Sequence, residues 1–214
     1  MMTKPRGFIS LAAVALGTIL LITGCVQEPT PAPSASHSQK PTPTPDPTYS
    51  PIGKPGSVAP PTTQDEAWVG ATNTVKDFLA VQYEIERDTG ANADRIDPFA
   101  TGIALSNVKQ VAAQLAEKKI TTTGAPVWTP NAAASSFGTL TPMGGTAIPN
   151  GIAYIRGCFD VSGQTAKYAD GSPAPVSATR VIPVQLTVQY SPDLKSWLVN
   201  NEVSILGQSG APSC

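Results

Sequence analysis

The chain has 214 residues, with 14 Lys and Arg against 15 Asp and Glu, a net charge of −1 and a hydrophobic content of 41%. That balance argues against a nucleic-acid partner, which needs a basic surface. The one histidine, His37, lies in a Pro-rich stretch, so Ser–His–Asp, Cys–His or His-ligated zinc chemistry is unavailable to the folded part without a partner chain.

The chain opens with Lys4 and Arg6 and then carries no charged side chain from Gly7 to Gly24. A basic start, an apolar middle and small residues at the end form a secretory signal. The uncharged run is also just long enough for a spanning helix, so an uncleaved N-terminal anchor is the competing reading. Ile22-Thr23-Gly24-Cys25 resembles the lipobox of bacterial lipoproteins, with Ile22 in place of the commoner Leu. The resemblance covers about the first 25 residues. It implies a signal peptide over 1–24, a diacylglyceryl group on the Cys25 thiol, and localisation on the outer face of the cell membrane. Two acyl chains, at about 0.8 kcal/mol per buried methylene, suffice for stable anchoring.

Residues 25–61 hold the lipid-bearing Cys25 and a Pro/Thr/Ser-rich linker. Between Val26 and Pro61 fall 11 of the 22 prolines, and there is no Leu, Phe or Trp. Such a segment buries too little apolar surface to offset its ordering entropy. It is biased to polyproline II and, fully extended, reaches roughly 110 Å, which suits a spacer between a membrane and a domain.

The remaining residues, 62–214, have the size of a single domain. They carry 10 basic and 13 acidic side chains, net −3. Thr63-Gln64-Asp65-Glu66 reads as a capping box. Apolar residues follow at Trp68, Ala71, Val75, Phe78, Leu79 and Tyr83, a helical stripe, with Gly90 as its stop. A helical turn is expected over Asp94 to Ala100. A second helix is expected from about Ser106 to Lys119, with Val108, Val111, Ala112 and Leu115 on one face and Lys118 and Lys119 suiting its C-terminal dipole.

After Lys119 the pattern turns to short β-branched runs between Gly, Pro, Ser and Thr. Strands are expected at Ala125–Trp128, Ser136–Leu140, Gly151–Gly163 and Thr179–Ser191, where Pro183 suggests a bulge or an edge. Pro192–Ser196 is a turn, and Trp197–Leu206 returns as the hairpin partner. Helices first and antiparallel strands second give an α+β fold, with helices across one face of a curved sheet. With Cys25 assigned to the lipid, Cys158 and Cys214 remain. An even pair in an exported protein reads as one disulfide, and two free thiols are the alternative.

The order of these elements, with Asp97-Pro98-Phe99-Ala100-Thr101-Gly102 between helices and Gly157-Cys158-Phe159-Asp160-Val161-Ser162-Gly163 in a strand, resembles the nuclear transport factor 2-like or SnoaL-like cone. The resemblance spans about 62–214 and rests on element order and loose motifs. It implies a concave sheet and helices enclosing a pocket, in a family where some members are enzymes and many only bind or assemble.

Candidate cavity groups for such a cone are Tyr83, Asp97, Tyr154, Asp160 and Tyr190. Each has a plainer role available: Tyr83 continues the helix stripe, Asp160 caps a turn, and Asp97 precedes a proline at a helix start. Asp88-Thr89-Gly90 matches the aspartic-protease triplet but ends a helix, and no second copy exists for the paired acid that chemistry needs. Asp160-Val161-Ser162-Gly163 lacks the spacing of a calcium loop, and Asp170-Gly171 reads as a turn. Trp68, Trp128 and Trp197 read as core anchors before a sugar platform. No metal and no cofactor is implied. Two functions stay open. One is a non-catalytic envelope domain that binds a protein partner or a small apolar ligand. The other is an isomerase-type enzyme using a cavity Asp/Tyr pair on a small hydrophobic substrate. A buried carboxyl inside a closed pocket would favour the enzyme, and a cavity filled with Leu, Val and Ile side chains an assembly module.

Overall fold

The computed structural model describes residues 53–214. The expected signal peptide, Cys25, His37 and the linker up to residue 52 lie outside the described residues. Among the described residues, no helix is long and apolar enough to cross a membrane.

Helix α1 runs Gln64–Arg87. Its start is the capping box: Glu66 N donates to Thr63 Oγ1 at 3.2 Å, and the Glu66 carboxylate accepts from Thr63 N at 3.4 Å. Further bonds from Thr62, through N and Oγ1, hold the Glu66 carboxyl below its ordinary value. Ala67, Ala71, Val75 and Phe78 form the buried stripe, while Trp68 is only half-buried. Over the last two turns the helix is enclosed more widely, with Val81, Tyr83, Glu84 and Ile85 all buried. The helix packs on the sheet on one side and on a 3₁₀ turn, Ala93–Ile96, on another. Arg95 of that turn lies 3.6 Å from the buried Glu84 and bonds Asp88 at 2.8 Å.

Asp88-Thr89-Gly90 is the helix end. Gly90 N donates back to Ile85 O at 2.8 Å, and Gly90 has φ +79°. A Cβ there would stand 2.0 Å from the carbonyl oxygen of Ala112. Glycine is therefore required both by the left-handed cap and by the approach of the second helix.

That helix, α2, runs Gly102–Lys118 and begins four residues before the expected Ser106. Its N-cap, Thr101, makes no side-chain cap bond. The chain is instead fixed by Thr101 N donating to Val199 O at 2.8 Å. The buried face is Ala104, Val108 and Ala112. Val111, expected on that face, is 42% exposed, because a narrow stripe at i, i+4 and i+8 already covers the contact.

Seven strands follow: β1 Thr121–Thr123, β2 Val127–Pro130, β3 Ser136–Leu140, β4 Ile148–Asp160, β5 Thr165–Lys167, β6 Val181–Ser191 and β7 Ser196–Ser204. The main sheet is antiparallel, in the order β2-β4-β6-β7, with β3 also on β4. β1 and β5 pair separately. The fold is α+β: two helices packed on one face of a curved antiparallel sheet. The covered face presents Ala153 and Ile155 of β4, Val184, Leu186, Val188 and Tyr190 of β6, and Trp197 and Val199 of β7.

Pro183 occupies neither an edge strand nor a bulge. It lies in β6, paired through Cys158 with β4. Its carbonyl accepts from Ile205 N at 2.9 Å, just past the end of β7, so its missing N–H falls where the β6–β7 ladder stops. The bulge is elsewhere, between Thr187 and Val188 opposite β7.

Both ends of the described chain are tied down. Val58 N donates to Lys195 O at 2.7 Å, and Tyr190 Oη donates to Val58 O at 2.8 Å, so packing extends N-terminal of Thr62. On the uncovered sheet face, Arg156 Nη1 donates to Gly210 O at 3.0 Å, and Cys158 is disulfide-bonded to Cys214.

Candidate ligand groove and carboxyl pair

Thr72, Asn73, Lys76, Leu79, Ala80 and Tyr83 recur at helical spacing along α1 and face the edge of the sheet, where they form one wall of a groove of about 410 Å³. Pro126, Trp128 and Pro130 with Phe159 form the other. Trp128 and Phe159 are direct cross-strand partners, so both rings stand on the helix-covered face. Apart from Lys76, Asn73, the Thr72 hydroxyl, Tyr83 and the Trp128 indole N–H, the lining is hydrocarbon or proline. Thr72 Oγ1 already donates to Trp68 O at 2.6 Å.

The groove depends on Gly157. A Cβ there would lie 2.4 Å from Thr129 O and 2.6 Å from the Trp128 ring, because the indole lies across the glycine. The Trp128 indole N–H is buried in the groove wall without a partner. Gly157→Ala is expected to cost about 2 kcal/mol, the usual scale of overpacking, and to shift the tryptophan emission as Trp128 is displaced. Thermal unfolding and fluorescence of the variant check both, and an unchanged spectrum would show that the ring does not need this site.

The sequence-expected cavity groups are dispersed. Tyr83 is buried and lines the groove. Tyr190 is buried in the core, edge-on to Trp197 with ring centroids 5.9 Å apart. Tyr154 is half-buried on the opposite sheet face, between Ser136 and Thr187. Asp97 lies on the surface, 2.7 Å from Lys109 Nζ. Asp160 ends β4, accepts from Ser162 N at 2.7 Å, and is held below its ordinary value by those Ser162 bonds. Of the tryptophans, Trp197 is buried, whereas Trp68 and Trp128 are half-buried.

Two acids that the sequence did not single out carry the unusual electrostatics. Glu202 lines a smaller cavity of about 180 Å³ with Gln82, Asn107, Val108, Ile182 and Ser204. Burial, and then the charge of Glu86 on α1, push its carboxyl up to about 7. Glu86 is also raised by burial, opposed by a bond from Gln82 Nε2 at 3.2 Å. The amide oxygen of Gln82 is buried without a partner. Glu202 faces the helices because of the β6–β7 bulge: Val188 pairs with Val199, but Thr187 pairs with Asn201 and Leu186 with Glu202. Strict alternation from Val199 would have put Val203 inside, yet Val203 is 38% exposed. A carboxyl near 7 can give or take a proton at neutral pH.

No family model matches the chain, and no curated protein matches it. Among solved structures, the crystal structure of the intermembrane space region of chloroplast protein ARC6 is similar over 63% of this chain and 92% of that one, at 13% identity and a TM-score of 0.41.

Proposed function

We propose that the chain is an extracytoplasmic lipoprotein, anchored to the membrane through lipid on Cys25, whose domain is of the nuclear transport factor 2-like or SnoaL-like type and holds a small apolar ligand without chemistry. The observation that carries the ligand reading is the groove between α1 and the β2–β4 edge, lined by Leu79, Ala80, Tyr83, Trp128 and Phe159. Its volume of about 410 Å³ is within the usual range of small-molecule sites, and apolar walls with a few polar groups are their usual lining. A second reading, an enzyme on a small hydrophobic substrate, is favoured by the Glu202 carboxyl in its own cavity. Its acids would be Glu86 and Glu202 in place of an Asp/Tyr pair.

Two measurements test the proposal. Cys25→Ala is expected to move the protein out of the membrane fraction or leave it unprocessed; a processed, membrane-bound variant would refute the anchor. Native mass spectrometry of the full chain from its own host is expected to show a retained small-molecule mass. A bare mass with a co-purifying protein would shift the reading to a partner-binding module.

A further inference from the structure

We infer that the occupant of the α1–β2/β4 groove is a single-chain amphiphile with an anionic carboxylate head, its chain on Leu79, Trp128 and Phe159 and its head at Lys76. The inference rests on the groove being a ligand site, and deepens that reading by naming the class.

Charge complementarity carries it. The groove wall includes one cation, Lys76, and no carboxylate, although acids outnumber bases 13 to 10 over residues 62–214. Lys76 is exposed and forms none of the ion pairs found among the described residues. Asp77 is next in sequence and feels the Lys76 charge, but it is not part of the wall. An ammonium at the lip of an apolar trough is screened less than one on an open surface. A bound cation would be repelled by it, and a neutral chain would gain nothing from it. Size agrees as well: about 410 Å³ is within the usual range of small-molecule sites, and a medium-chain fatty acid is of that scale.

The test uses three probes with the same chain and different heads: bromododecanoate, bromododecanol and bromododecyl-trimethylammonium, each with bromine at the chain end. The protein is the full chain in lipid nanodiscs. All three tryptophans lie between Trp68 and Trp197, so bromine quenching reports on the domain, and Trp128→Phe identifies the share from the groove. The expected result is quenching of Trp128 at about tenfold lower concentration of the carboxylate than of the alcohol, the scale of a charge-assisted hydrogen bond, with the ammonium weakest. The advantage should shrink with added salt, disappear in Lys76→Gln and survive in Lys76→Arg. Equal quenching by all three, or an advantage untouched by Lys76→Gln, overturns the anionic head while leaving an apolar ligand site in place. No quenching of Trp128 by any probe overturns the ligand site and the inference together.

Discussion

Replacing both Cys158 and Cys214 with serine is expected to lower the unfolding free energy by about 4 kcal/mol in the chain-entropy picture, for a sequence separation of 56 residues. The bridge spans β5, β6 and β7, so without it the unfolded chain regains the freedom of three strands. In the folded state less is at stake. Ile205 stays buried and bonded to Pro183, and beyond it the tail keeps the Arg156–Gly210 bond. The loss should therefore appear as earlier cooperative unfolding with little change in the native spectrum. Urea titration of the double variant, and of the unsubstituted protein with and without reductant, measures it. A loss below about 1 kcal/mol, well under the usual range for native bridges, would mean that the reduced unfolded chain is already compact through residues 158–214.

The elements legible in the sequence are those whose local signals agree with their packing. α1 carries a capping box and a stripe, and both appear. β4, β6 and β7 carry β-branched alternation and pair as an antiparallel meander. What escaped the sequence depends on contacts made at a distance. β1 and β5 are three residues each and pair with one another outside the main sheet, too short for any alternation to register. The start of α2 is set by Thr101 on Val199, a tertiary bond standing in for a cap. Pro183 escapes the usual rule because β7 ends opposite it.

The candidate site was less legible for the same reason. Trp128 and Phe159 are 31 positions apart and meet only through strand register. Gly157 gives no hint in sequence that an indole lies on it. Glu202 reads as a solvent-facing residue until the bulge at Thr187/Val188 shifts its strand by one residue. A one-residue slip exchanges the faces of a strand, so the most perturbed carboxyl among the described residues occupies a place that alternation assigns to water.

That displacement yields a pH-dependent stability of a definite sign. The Glu202 carboxyl titrates at about 7 in the folded chain against an ordinary value of 4.5, so between those values the native state holds a proton that the unfolded state has lost. Stability therefore falls as pH rises through this window and levels off above it. The rise from 4.5 to about 7 corresponds to roughly 3 kcal/mol, or on the order of 10 °C in melting temperature for a domain of this size. Glu86, raised by burial, acts in the same direction. Glu66, Asp160 and Asp170 are held below their ordinary values by hydrogen bonds from Thr62, Ser162 and Ser172. Their contributions are lost only at lower pH, as each is protonated, so stability has its maximum between this acid limb and the Glu202 limb. Glu202→Gln should remove the Glu202 share of the upper limb, leaving that of Glu86, and leave the acid limb unchanged, since an amide retains the shape and cannot ionise. Thermal melts from pH 2 to 9 decide it. A flat upper limb in the unsubstituted protein would show that the Glu202 carboxylate reaches water when charged, and would remove the main support for acid–base work in the smaller cavity.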